Sequence, residues 1–344
     1  MGRWLLALCL CCAPAGAARA NDTMATLGAG GLVFVRTEAV RIVSEDLYIS
    51  PDAVRVRYEF RNEGQEDAGS LVAFPLPDIT GGPDFMVAIP TEDARNLFGF
   101  TTLVDGRPVA ATLHQYAFAH NVEYTDLLRG MAVPLTPFGE ETLAALDALD
   151  EAQKAELFRN GLVVPLEYDS GQGWTKEFFP AWTLKSTYTW EAEFPAGETV
   201  VVEHSYKPSV GGTVAVTFLA EPHEGYDPAA AYRSKYCTDD AFVRAVEKTL
   251  PNPQERYGAP FSESWLSYIW STGANWSGPV ERFHLTVDKG SPANLVSFCW
   301  DGKVTKTSPT TFEMEAEDWW PPWDRELEVL ILNWRMDAME RTVG

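Results

Sequence analysis

The chain has 344 residues, with 49 acidic against 27 basic side chains, a formal charge of −22 and 46% apolar residues. That acidity excludes a nucleic-acid binder, which needs basic surface to neutralise phosphates, and it equally excludes docking on anionic lipid. It suits cationic partners, Ca²⁺ or simple solubility, and the length suits two domains or one elaborate one.

Residues 1–20 read as a cleavable signal peptide. Arg3 supplies a positive start, Trp4 to Cys12 an apolar core, and Ala18-Arg19-Ala20 a small-x-small site cut after Ala20. The apolar run is too short for a span of about 20 residues, and no later stretch reaches that length without charges. A soluble, periplasmic or secreted protein with no membrane span after cleavage is therefore expected. Its charge moves to −24, because two arginines and no acids leave. Three cysteines leave as well. Cys237 and Cys299 remain, and two cysteines in an exported chain suggest one disulfide. Closing that loop is worth about 4 kcal/mol on chain entropy.

A glycine cluster, Gly28, Gly30 and Gly31, precedes Leu32–Arg36. A dinucleotide loop needs a strand before it and a helix after it. Here the chain start precedes and a strand-like run follows, so the glycines turn the backbone. In 53–60, Val54, Val56, Tyr58 and Phe60 alternate with Arg55, Arg57 and Glu59, a strand with one buried side. Asn62 to Asp67 turns the chain, and Ser70 to Pro77 returns until Pro75 and Pro77 end the pairing. Asp105-Gly106 marks a second hairpin.

The pattern then becomes helical. Thr136 is placed to cap a helix that starts at Pro137, Asp150 with Gln153 forms a capping box, and Asn160-Gly161 is a stop. Period-two alternation resumes in Trp182–Phe194 and, after Pro195-Ala196-Gly197, in Thr199–Tyr206. A helix over Asp239–Leu250 presents Phe242, Ala245, Val246, Thr249 and Leu250 on one side, and a further helix is expected near 262–271. Strands close the chain: Glu281–Asp288, Ala293–Trp300, Thr310–Ala316 and Glu326–Trp334. The expected class is mainly β or α+β: two antiparallel β-sandwich-like domains with helical insertions. The expected division is an N-terminal β domain at 21–133, a helical insertion at 134–172 and a C-terminal β domain at 173–344.

Several stretches together carry a resemblance: NDTMATLGAGGLVFV, SEDLYIS, VRYEFRNEG with LVAFPLPDI, FPAGETVVVEHSYKPSVGG, TGANWSGPVERFHLTVDKG and NLVSFCW. The chain resembles the secreted bacterial proteins grouped as domain of unknown function family 4424, across nearly all of the expected mature chain. This implies an exported, envelope-associated protein and transfers no catalytic residue. The order of strand, FPLP and VDGRPV is also similar to the sandwich of vault and inter-alpha-trypsin-inhibitor proteins, which supports a fold and no function.

Enzyme motifs are absent after residue 20: no G-x-S-x-G, Ser-x-x-Lys, H-E-x-x-H or C-x-x-C. Ser170 reads as an ordinary loop serine, and His204 as a buried, hydrogen-bonded core histidine beside Val200, Val202 and Tyr206. His223-Glu224 offers at most two ligands where Zn²⁺ usually takes three or four, so no metal or cofactor is expected. Aromatic loops stand out instead. EDWWPPWDRE places Trp319, Trp320 and Trp323 about Pro321-Pro322 beside acids, and GANWSG carries Trp276. Consecutive tryptophans cannot both face inward on a strand, so these four are the candidate ligand-binding residues. The reading is a non-enzymatic β-scaffold that binds a protein or glycan partner in the envelope. The alternatives are a hydrolase with a dispersed acidic and histidine site, or a carrier of a metal or small ligand.

Overall fold

The computed structural model describes residues 22–335, apart from 29–30, 84–86, 92, 94, 170, 172, 251 and 253–258. The expected signal segment, its cleavage site after Ala20, Gly30 and Ser170 lie outside the described residues.

The first eleven strands precede any helix. They are β1 (Thr23–Gly28), β2 (Gly31–Val35), β3 (Val40–Ile49), β4 (Val54–Asn62), β5 (Ala68–Pro75), β6 (Ile79–Thr80), β7 (Val87–Ala88), β8 (Thr101–Val104), β9 (Arg107–Pro108), β10 (Thr112–Ala119) and β11 (Val122–Glu123). Helices α1 (Thr125–Gly130), α2 (Glu140–Asp147) and α3 (Glu151–Arg159) follow. Then come β12 (Val163–Asp169), β13 (Trp174–Pro180), β14 (Thr183–Phe194), β15 (Thr199–Tyr206) and β16 (Val210–Thr213). Helices α4 (Pro228–Tyr236) and α5 (Asp240–Glu247) separate these from β17 (Phe261–Tyr268), β18 (Val280–Asp288), β19 (Leu295–Phe298), β20 (Thr305–Lys306), β21 (Thr311–Trp319) and β22 (Leu327–Trp334).

Three large sheets hold almost all the strands. A seven-stranded sheet runs β11-β10-β14-β5-β1-β2, with β6 added beside β14. An eight-stranded sheet runs β20-β21-β18-β3-β4-β15-β8-β9, and a five-stranded sheet β19-β22-β17-β16-β7. The hairpin β12–β13 stands apart as a two-stranded sheet. Pairing is antiparallel throughout the described ladders except between β18 and β3. The protein is thus mainly β, with antiparallel sheets and helical insertions.

The period-two pattern buries what it was expected to bury. In β4, Val54, Val56, Tyr58 and Phe60 are buried while Arg55 and Arg61 are exposed. In β14, Leu184, Ser186, Tyr188, Trp190, Ala192 and Phe194 share the buried face. One continuous core takes side chains from all three large sheets, among them Phe60, Phe74, Trp190, Phe194, Tyr268, Phe283 and Val329. In β22, Leu327, Val329 and Ile331 enter this core, while Leu330 and Leu332 enter a second one under α4 and α5 with Phe218, Tyr232 and Val246. A third core joins α1–α3 to Trp182 and Val163.

Gly28 pairs with Gly31, so these two glycines belong to the β1–β2 ladder and open no helix. Asp105 and Gly106 both take positive φ, at 48° and 72°, as a type I′ hairpin requires. The capping box is present on α3, with Gln153 N donating to Asp150 Oδ1 at 2.8 Å and Asp150 N to Gln153 Oε1 at 3.0 Å.

Four details correct the sequence reading. Residues 261–268 form strand β17, not a helix: they lie between β16 and β22, so both neighbouring ladders hold their backbone. Helix α2 begins at Glu140 behind Gly139, whose φ is +88°, and Thr136 accepts at its carbonyl from the Thr142 hydroxyl instead of capping. The helix expected over 239–250 ends at Glu247 and is preceded by α4, which Asp227 caps and Pro228 starts. Finally, strands from both sides of the boundaries at 133 and 173 pair directly, as β5 does with β14, β4 with β15 and β3 with β18.

Cys237 and Cys299 are joined, with 2.11 Å between their sulfurs. The bridge ties the C-terminal end of α4 to the chain just after β19. No helix among the described residues is long and apolar enough to cross a membrane.

Candidate binding surface

The tryptophan loop sits where β21 ends. Asp318 takes positive φ (49°) between the Arg282–Glu317 and Val280–Trp319 pairs, just before the ladder ends at Trp319. Trp319 folds inward, its ring stacked on Phe283 at 4.0 Å and edge-on to Trp270 at 5.3 Å. Pro321 is buried. Trp320 and Trp323 point out, 53% and 81% exposed. The loop is clamped behind them. The Glu326 carboxylate accepts from Trp270 N (2.9 Å), Ser271 N (3.2 Å) and the Ser271 hydroxyl (2.5 Å), and the Trp270 indole donates to Arg325 O at 2.9 Å. Arg325 in turn pairs with Asp301. Two large rings therefore face water on a pre-ordered frame beside Asp318 and Asp324, both exposed.

Trp276, grouped with these rings on sequence, is a core residue. It is 1% exposed, packs on Phe60 at 4.4 Å and Phe194 at 5.8 Å, and donates from its indole to Asp22 O at 2.5 Å. The turn at 271–275 folds it under β1 because that carbonyl satisfies its N–H inside an aromatic core. It presents no face to a partner.

His204 is buried and hydrogen-bonded, as expected. Its partner was not legible in the sequence: Asp22, 182 residues away, accepts at 3.0 Å, and both side chains are fully buried. Phe74, Trp190 and Phe100 surround the imidazole at 4.8, 5.0 and 5.2 Å. Burial pushes the Asp22 carboxyl up, and the His204 charge and hydrogen bond oppose this. Nearby, the Tyr58 and Tyr268 hydroxyls meet at 3.0 Å, and burial raises both phenols well above their ordinary range. The side chains of Asp22 and His204 have no exposed surface, although His204 is among the residues lining a shallow concavity on the outer face of the eight-stranded sheet.

The other histidines do not converge. His114 bonds Thr189 at 2.9 Å, His284 bonds Asp46 at 3.0 Å on the outer face of the eight-stranded sheet, and His223 pairs through its backbone with Tyr226. Among the described residues no three His, Cys, Asp or Glu side chains are placed to hold a metal ion.

Two features escaped the sequence reading. Glu263, 2% exposed, accepts from Thr217 N (2.5 Å), Tyr232 (2.5 Å) and the Trp265 indole (2.9 Å), which ties the helical layer to β17. The β12–β13 hairpin and the end of α3 expose Phe158, Val164, Leu166, Tyr168 and Trp174. Alternation at Val164, Leu166 and Tyr168 was visible in the sequence, but not that this row of the hairpin would stay exposed while Phe178 packs against the helical core.

The family model described as Domain of unknown function (DUF4424) matches residues 20–330. No curated protein matches the chain. A solved structure from Legionella pneumophila, described as a "putative nutrient binding protein", is similar over 91% of this chain and 70% of its own, at 14% identity and a TM-score of 0.46.

Proposed function

The chain belongs to the family described as Domain of unknown function (DUF4424), and we propose that it is an exported, partner-binding β-scaffold of the bacterial envelope whose contact surface includes Trp320 and Trp323. The observation that carries this reading is the pair of exposed rings on a clamped loop. Burying the 53% and 81% still exposed on side chains of about 150–250 Å² at about 25 cal/mol per Å² gives about 2–5 kcal/mol of contact for each. Because Glu326 and Pro321 already order the loop, little of that is lost to ordering on binding. The partner is a protein or a glycan, since tryptophan faces serve both, and the flanking Asp318 and Asp324 favour cationic groups at the rim. The fully enclosed Asp22–His204 pair offers no support for acid–base chemistry on a bound substrate.

The test compares residues 21–344 with the Trp320→Ala/Trp323→Ala double variant. Both are presented with envelope extract and with cell-wall fragments. The exposed substitutions change stability by about 0.5 kcal/mol or less. Capture should fall at unchanged melting temperature, and capture equal to that of the wild type would remove the platform.

A further inference from the structure

The eight-stranded sheet turns one face to the core and the other to solvent. At the centre of the outer face, β3, β4, β15 and β8 form a shallow concavity of about 300 Å³. Strand register arranges eight of its lining residues in two rows, and the inward-facing Val56 and His204 lie between them at its floor. Asp46 stands opposite Arg57, Arg57 opposite Glu203, and Glu203 opposite Leu103. One step along the strands, Tyr48 stands opposite Arg55, Arg55 opposite Ser205, and Ser205 opposite Thr101. At about 4.8 Å between strands and about 6.8 Å between rows, the grid measures roughly 14 by 7 Å.

Donors and acceptors alternate across this grid, and part of it is uncommitted. Arg57 is engaged by Glu59 at 2.8 Å, Asp46 by His284 at 3.0 Å, and the Tyr48 hydroxyl by Asp288 at 3.0 Å. Among the described residues, the Glu203 carboxylate and the Ser205 hydroxyl have no hydrogen-bond partner. The Arg55 guanidinium holds only the Tyr48 ring, 4.1 Å from its centroid. Two carboxylates and two guanidiniums make the patch locally neutral on a chain of net charge −22. A ligand of either net charge therefore gains little here. A neutral, elongated molecule whose hydroxyls both donate to Glu203 and accept from Arg55 and Ser205 matches the whole grid.

We propose that this concavity is a binding site for a neutral saccharide chain, separate from the tryptophan loop and independent of what that loop binds. Being shallow and preformed on four hydrogen-bonded strands, it binds weakly, in the millimolar range, with little rearrangement.

The experiment is a backbone amide NMR titration of residues 21–344 with maltotriose, cellotriose and chitotriose, and with glycine as a zwitterionic control. At least one trisaccharide should move amides in 46–57, 101–103 and 203–205, and glycine should move none. The Glu203→Gln and Arg55→Gln variants, whose side chains pack against nothing in the core, should weaken that response about tenfold at unchanged melting temperature. The Trp320→Ala/Trp323→Ala variant should leave it intact, which separates this site from the loop. Silence with all three trisaccharides, an equal response in the Glu203→Gln and Arg55→Gln variants, or a response to glycine alone would overturn the proposal.

Discussion

Glu263→Gln probes the attachment of the helical layer. The wild-type carboxylate accepts from Thr217 N, the Thr217 hydroxyl, Tyr232 and the Trp265 indole at 2.5 to 3.2 Å, all neutral donors. A glutamine keeps one acceptor oxygen and turns its amide toward donors that then lack a partner. Hydrogen bonds to a charged acceptor are worth about 1.5–3 kcal/mol each, and relief of a buried charge offsets part of the loss, so the expected net cost is about 2 kcal/mol. For a chain of this size that lowers the melting temperature by a few degrees. The pH dependence is diagnostic. Burial raises the Glu263 carboxyl above its ordinary 4.5, and the hydrogen bonds from Tyr232, Thr217 and Trp265 only partly oppose this. A raised carboxyl means that the folded state holds its proton to higher pH than the unfolded state does. Its contribution to stability is complete below about 4.5 and falls as pH rises through the raised value. The variant has no such group. The stability gap between wild type and variant, measured by urea unfolding from pH 4.5 to 7, should be largest at the acid end and narrow as pH rises. A gap that widens with pH, or no gap at all, would refute this account.

Four further variants probe core, surface, cross-link and backbone. Trp276→Ala should cost about 3–5 kcal/mol in urea unfolding, whereas Trp323→Ala should cost about 0.5 kcal/mol or less, although both were grouped as ligand-binding rings on sequence. Cys237→Ser/Cys299→Ser should cost about 4 kcal/mol, since the bridge closes a separation of 62 residues, and the untreated protein should show no free thiol to a colorimetric reagent. Gly161→Ala should cost about 1–3 kcal/mol, because the glycine has φ +71° and an added Cβ would clash with the His120 ring. A variant as stable as wild type would mean that this helix end rearranges freely.

What the sequence made legible was local. Alternation in β4, β14 and β15 identified their buried faces because burial on one side of a pleated strand is written with period two. The capping box on α3 and the Asp105-Gly106 turn need only near neighbours, so they too could be read. The tertiary partners could not. Nothing near His204 announces Asp22, and nothing near Trp276 announces that Asp22 O will satisfy its indole. Residues 261–268 carry enough apolar positions to be taken for a helix, and only the ladders from β16 and β22 decide otherwise. The concavity on the eight-stranded sheet depends on the register of four strands drawn from residues 40 to 206.

That interleaving also bears on how the chain folds and on whether its halves are separable. Strand β3 pairs in parallel with β18, bringing Asp46 to His284 across 238 residues. The main core needs Tyr268, Trp276, Phe283 and Val329 from beyond residue 260 to meet Phe60, Phe74 and Phe194. An N-terminal fragment lacks one neighbour of β3, the rings that close the core and the whole of β17 and β22. Pairing at such separations meets its loop-closure entropy before its contacts form, so folding should be slow and should wait for the last third of the chain. A chain truncated to residues 21–260 should therefore give no cooperative urea transition, and fragments 21–133 and 173–344 should not fold alone. Refolding of residues 21–344 should be concerted, with fluorescence and far-ultraviolet dichroism changing together. A cooperative transition in the truncated chain, with a denaturant slope matching its own length, would show that the N-terminal strands form a self-sufficient domain and that the β3–β18 pairing is an addition to it.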